Sequence, residues 1–96
     1  MQLIHEENRI YGNNADGELV AEITFPEISD GVVVIDHTFV DGSLRGQGVA
    51  GQLVQAAAED LRSSGRKARL TCSYAVTWFS RHPEYQELLL AEEDED

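Results

Sequence analysis

Arg45-Gly46-Gln47-Gly48-Val49-Ala50-Gly51 joins an apolar run to a segment of helical spacing. Residues of these types make an anion site: the first turn of a helix leaves backbone N–H groups unpaired, and the helix dipole adds roughly half a positive charge there. Phosphate is the natural guest. Two reactive side chains flank this stretch in sequence. His37 lies upstream, with the reference pKa near 6.5 that suits a general base. Cys72 lies downstream and is the only cysteine, a nucleophile wherever its thiol is ionised. Both have plain alternatives, His37 as a packed core residue and Cys72 as a buried, inert thiol.

The charge distribution points to the same place. The net charge of −11 excludes a nucleic-acid binder, which needs a basic footprint, but it is unevenly spread. Residues 1–44 carry nine acids against one base, residues 45–81 two acids against six bases, and residues 82–96 seven acids and no base. The single basic segment opens at Arg45 and includes Arg62, Arg66, Lys67, Arg69 and Arg81. Arg62, Arg66 and Lys67 serve either a polyanionic ligand or the carbonyl end of the preceding helix.

The elements that must position these groups follow from periodicity. Residues 2–25 read as short strands and turns, with Asn13-Asn14-Ala15-Asp16-Gly17 as a turn and Pro26 closing the strand before it. Residues 32–40 are apolar on both faces and read as one central strand, with Val33, Ile35, His37 and Phe39 on one side. Apolar residues at 49, 50, 53, 54, 57, 58 and 61 have helical spacing, and Gly65 supplies the C-terminal cap. Residues 67–72 alternate as a strand. Strand, helix and strand make a βαβ unit with a parallel pair, so that His37 and Cys72 come near carboxyl ends of strands. Ser73 starts one short helix and Pro83 another.

The expected organisation is one domain over residues 1–90 and a solvated, disordered acidic tail over residues 91–96. No segment has the length and apolarity of a membrane span, no signal peptide is visible, and a lone cysteine builds neither a disulfide nor a structural zinc site, which together point to the cytoplasm.

Three readings of the glycines compete. Gly46, Gly48 and Gly51 satisfy the dinucleotide pattern G-x-G-x-x-G, but five residues separate them from Val40, and the next strand ends in Thr71-Cys72 where that pattern needs an acid. A P-loop requires Lys and Ser or Thr where Gln52 and Leu53 stand. The third reading fits: Arg45, Gly48 and Ala50 occupy the defining positions of Gln/Arg-x-x-Gly-x-Gly/Ala, the pyrophosphate loop of acyl-CoA-dependent enzymes.

That loop resembles the signature of the GCN5-related N-acetyltransferases, the GNAT superfamily. Ile35-Asp-His-Thr-Phe-Val40, Leu44-Arg-Gly-Gln-Gly-Val-Ala50, Cys72-Ser-Tyr74 and His82-Pro-Glu-Tyr85 extend the likeness to the small stand-alone GNAT-like proteins related to N-acetyltransferase domain-containing protein 1, over most of residues 18–90. The resemblance implies a compact α+β fold: a mixed, mostly antiparallel sheet, one parallel βαβ pair splayed for acetyl-CoA, and short C-terminal helices. It implies acetyl-CoA as cosubstrate, no metal, and contacts from Phe39, Val40, Arg45, Gly46, Gln47, Gly48, Val49, Ala50 and Gly51. It also implies an amine acceptor, small molecule or protein, and a family shortened at the acceptor side. Cys72, His37 and Tyr74 are the candidate catalytic residues. Cys72 would accept the acyl group if His37 lowered its pKa, and Tyr74 would protonate the leaving thiolate. The alternative is a module that senses or carries acetyl-CoA without transferring the acetyl group to a separate substrate.

Overall fold

The computed structural model describes residues 1–90, and the acidic segment read as a disordered tail lies outside them. Four short strands open the chain: β1 (Ile4–Glu6), β2 (Arg9–Asn13), β3 (Leu19–Thr24) and β4 (Glu27–Ser29). The turn between β2 and β3 is set by Asn14, whose Oδ1 accepts the amides of Asp16 and Glu18, both at 3.0 Å. β4 was not expected. Pro26 stops β3 as its missing N–H requires, and the three exposed residues after it pair with the next strand at an edge.

Residues 32–40 depart from the sequence reading. They form two strands, β5 (Val32–Ile35) and β6 (His37–Val40), which belong to different sheets. The first sheet is antiparallel in the order β1-β2-β3-β6. The second is β4-β5-β7, where β7 (Lys67–Leu70) runs parallel to β5 in the register Ile35 to Leu70. So β5 is central in its sheet, and β6 is the edge of the other. Asp36 is the joint. It is exposed, its carboxylate accepts the Thr24 hydroxyl at 2.6 Å, and its amide reaches Thr24 O at 3.4 Å. A carboxylate cannot enter a sheet core unpaired, so it leaves the run here and the chain is handed from one sheet to the other.

The handover shifts the alternation by one residue. Val33 and Ile35 are fully buried in β5, but in β6 the residues opposite buried Ile23 and Ala21 are Thr38 and Val40. His37, expected on the face of Val33 and Ile35, is exposed on the other side of the strand.

Helix α1 (Val49–Ser64) crosses from β6 to β7 and buries Val49, Leu53, Val54, Ala57, Ala58 and Leu61, the stripe the spacing prescribes. Gly65 caps it, its N–H donating to Arg62 O. Helix α2 (Ser73–Ser80) packs Ala75, Trp78 and Phe79 inward, and a 3₁₀ turn over Pro83–Leu88 follows. Trp78 stacks on His82 at 3.8 Å between centroids, and the Tyr85 hydroxyl donates to Glu59 of α1. Arg62 and Lys67 donate to the carbonyls of Glu84 and Glu87, and Arg66 to that of Glu7. These three bases therefore tie the chain's own segments together. Among the described residues no helix is long and apolar enough to cross a membrane.

Candidate functional site

After β6 the chain makes a 3₁₀ turn over Gly42–Leu44, capped by Asp41. The Asp41 carboxylate accepts the Ser43 amide at 3.0 Å and the Ser43 hydroxyl at 2.6 Å. The side-chain bond from Ser43, then its backbone bond, hold the Asp41 carboxyl below its ordinary range, with the charge of Arg45 adding to them against some desolvation. This pinned turn delivers Arg45 and the glycines to the start of α1.

Gly46 and Gly48 have φ of +81° and +74°, a region L side chains rarely adopt, and a Cβ at either would meet nothing within 4 Å. Gly48 is the N-cap and brings no capping side chain; the first turn of α1 holds no acid. The first helical hydrogen bond runs from the Gln52 amide to Gly48 O, so the amides of Val49, Ala50 and Gly51 precede the ladder and point outward. Open space, uncapped donors and the helix dipole thus coincide. A cleft of about 200 Å³ lies here, lined by Val40, Leu44, Arg45, Gly46, Gly48, Val49, Ala50 and Tyr74.

The wall toward β6 is backbone. The Asp41 amide donates to Val20 O at 2.8 Å, so by antiparallel alternation Phe39 and Asp41 turn their N–H and C=O groups to β3, while Thr38 and Val40 turn theirs away from it. On the other side the Thr71 and Cys72 amides both reach Ile35 O, at 3.1 and 3.2 Å, and mark where β7 parts from the β5–β6 run. A wedge therefore opens between β6 and the end of β7.

Cys72 stands at the point of the wedge, as N-cap of α2. Its Sγ lies 3.5 Å from Thr38 Oγ1. Burial pushes the thiol up, but the Thr38 hydroxyl and the nearby amides of Ala75, Tyr74 and Thr38 outweigh burial and hold it below the ordinary thiol value, while Sγ makes no capping hydrogen bond to α2. The expected partner was His37. The structure does not bring His37 to Cys72, because the joint at Asp36 turns His37 outward and Thr38 inward. Of the other sequence candidates, Val40, Arg45, Gly46, Gly48, Val49, Ala50 and Tyr74 line the cleft. Phe39, Gln47 and Gly51 do not: Phe39 faces away from it on β6, Gln47 bonds back to Ser43 O at 3.4 Å, and Gly51 lies under the Tyr74 hydroxyl. Leu44 and Thr38 were missed. Thr38 was legible only to a reader who let Asp36 break the alternation.

The family profile described as GCN5-related N-acetyl-transferase matches residues 9–88. The chain belongs to this family. A GCN5-like protein from Staphylococcus aureus, solved by NMR, is 32% identical with a TM-score of 0.74, covering 94% of this chain and 88% of its own. Likenesses of fold alone extend to a Mycobacterium tuberculosis protein in complex with CoA (16% identity, TM-score 0.62, 79% of this chain and 47% of that one). They include an IAA acetyltransferase from Bacillus cereus (14%, 0.59, 76% and 51%). The chain thus spans about half the length of these two larger proteins. A comparison with curated proteins finds no match. Within the GNAT family the fold is as the resemblance implied, α+β and mostly antiparallel with a mixed second sheet.

Proposed function

We propose that this GNAT protein is a small acetyltransferase, of the stand-alone kind related to N-acetyltransferase domain-containing protein 1, that binds acetyl-CoA in the cleft at the start of α1. The observation that carries the reading is the cradle itself: Gly46 and Gly48 with open Cβ space, at an uncapped helix N-terminus free of acids. There the Val49 and Ala50 amides and Arg45 hold a pyrophosphate, and the outward N–H and C=O groups of Val40 suit the amides of a pantetheine arm. Acetyl-CoA supplies an activated acetyl thioester. Cys72 is the chain's own nucleophile, with a thiol held below its ordinary value, and Tyr74, in the first turn of α2, is the hydroxyl at hand to return a proton to a departing thiolate. The final acceptor is an amine, of a small molecule or a protein. A free thiol is consistent with work in the reducing cytoplasm.

Thermal unfolding with acetyl-CoA, NADH and ATP at matched concentrations tests the site: acetyl-CoA stabilises the fold strongly and the others much less. Equal or greater stabilisation by either nucleotide refutes it. Mass spectrometry after incubation with acetyl-CoA, alone and with amine mixtures, tests transfer. Acetyl gain on Cys72 or on an added amine supports an enzyme, and binding with no acetylated product makes the chain a sensing module.

A further inference from the structure

The step from β5 to β6 turns a hydroxyl, not an imidazole, toward the thiol. Thr38 sits opposite fully buried Ile23 in the β3–β6 register, which fixes its side chain on the inner face, and its Oγ1 lies 3.5 Å from Cys72 Sγ across the wedge. From the other side the Tyr74 and Ala75 amides of the first turn of α2 lie near the same sulfur without forming a capping hydrogen bond to it. Of the titratable groups on these elements, His37 is on the far face of β6, Tyr74 lines the cleft, Asp36 is bonded to Thr24, and Arg69 lies on β7.

Resting on the reading of Cys72 as nucleophile, we propose that Thr38 is its positioning residue: the hydroxyl donates a hydrogen bond to the Cys72 thiolate, fixes its direction in the wedge, and stabilises the charge left on sulfur when its proton goes to water. A thiolate stabilised by neutral donors loses its proton to solvent and keeps its negative charge, so its reactivity does not depend on the ionisation of a partner imidazole.

The test uses the single cysteine and needs no acetyl-CoA. The rate of iodoacetamide labelling of Cys72 is measured against pH in the folded protein, in Thr38→Val, Thr38→Ala, Thr38→Ser and His37→Ala, with folding of each checked by circular dichroism. Loss of one charge-assisted hydrogen bond cuts the thiolate fraction about tenfold, and the greater nucleophilicity of the more basic thiolate recovers about threefold of that. Thr38→Val and Thr38→Ala therefore label about threefold more slowly at neutral pH and reach a plateau about threefold higher in alkali, so their profiles cross that of the parent. Thr38→Ser restores the parent profile and His37→Ala leaves it unmoved. A merely structural loosening would raise labelling at every pH and produce no crossing. Profiles of Thr38→Val and Thr38→Ala that superimpose on the parent, or a His37→Ala profile that shifts as theirs should, overturn the proposal. Acetyl-CoA stabilisation, measured separately, tells whether the ligand site stands when Thr38 falls.

Discussion

Gly48→Ala separates what the glycine does for the turn from what it does for the ligand. Its φ of +74° is shared almost to the degree by Gly31, at +75°, on the β4–β5 turn, and a Cβ at either position meets nothing within 4 Å. Alanine at each therefore introduces the same backbone strain and no collision in the free protein, about 1 kcal/mol net. For a domain of this size that is a fall of roughly 4–8 °C in unfolding temperature. The two variants diverge once ligand is added. Acetyl-CoA at about 100 times its dissociation constant stabilises the parent by about 2.7 kcal/mol, a rise of roughly 10–20 °C. Gly31→Ala keeps that rise. In Gly48→Ala the methyl group fills the space a pyrophosphate needs, and a loss of about a hundredfold in affinity leaves about 0.4 kcal/mol at the same ligand concentration. Fluorescence of Trp78, the only tryptophan, reports unfolding in all three proteins. If Gly48→Ala loses stability like Gly31→Ala but keeps the full ligand shift, the glycine belongs to the turn alone and the cradle argument is wrong.

Arg45→Ala weakens acetyl-CoA binding by about two- to fivefold, as suits an exposed cation, and calorimetry at low and high salt should find the difference shrinking with ionic strength. Because the folded protein lowers the Cys72 thiol below its unfolded value, Cys72 contributes stability that is fully present above the unfolded thiol's range and is lost as pH falls through the folded one. The stability difference between the parent and Cys72→Ala, from urea unfolding, therefore grows as pH rises toward the unfolded thiol's range; a flat difference contradicts a thiol held low by its neighbours. Tyr85→Phe removes the bond to Glu59 and costs about 1–2 kcal/mol by urea unfolding. That bond, with burial, raises the Tyr85 hydroxyl above its ordinary value, so the cost is full at neutral pH and fades in strong alkali as the folded phenol ionises.

Much of the fold was written in local chemistry. The α1 stripe, its Gly65 cap, the Asn14 turn and the parallel crossover each follow from interactions within a few residues or from a handedness rule, and each stands as read. The run at residues 32–40 was misread because β-branched residues on both faces describe a buried strand equally well whether one sheet covers it or two share it. Asp36 was the available signal, a carboxylate in the middle of an apolar run, and its meaning depends on Thr24, twelve residues away across a turn. The site divides in the same way. The glycine run that opens α1 is contiguous in sequence and could be singled out there; the neighbour of Cys72 is a product of register, and one residue of slip replaced His37 with Thr38. Leu44 enters the cleft through geometry that no side-chain identity announces.

The edge position of β6 gives one short strand two classes of amide. Phe39 and Asp41 are committed to β3, and their hydrogens leave only when that pairing opens. Val40, between them, faces the cleft and has no strand to hold it, so in solvent deuterium its hydrogen is lost early while those of its neighbours persist. Filling the cleft slows the Val40 amide without changing the two beside it. The strand thus carries its own internal standard, in which a single residue's exchange rate, read against the residues on either side, measures occupancy of the site in the unmodified protein.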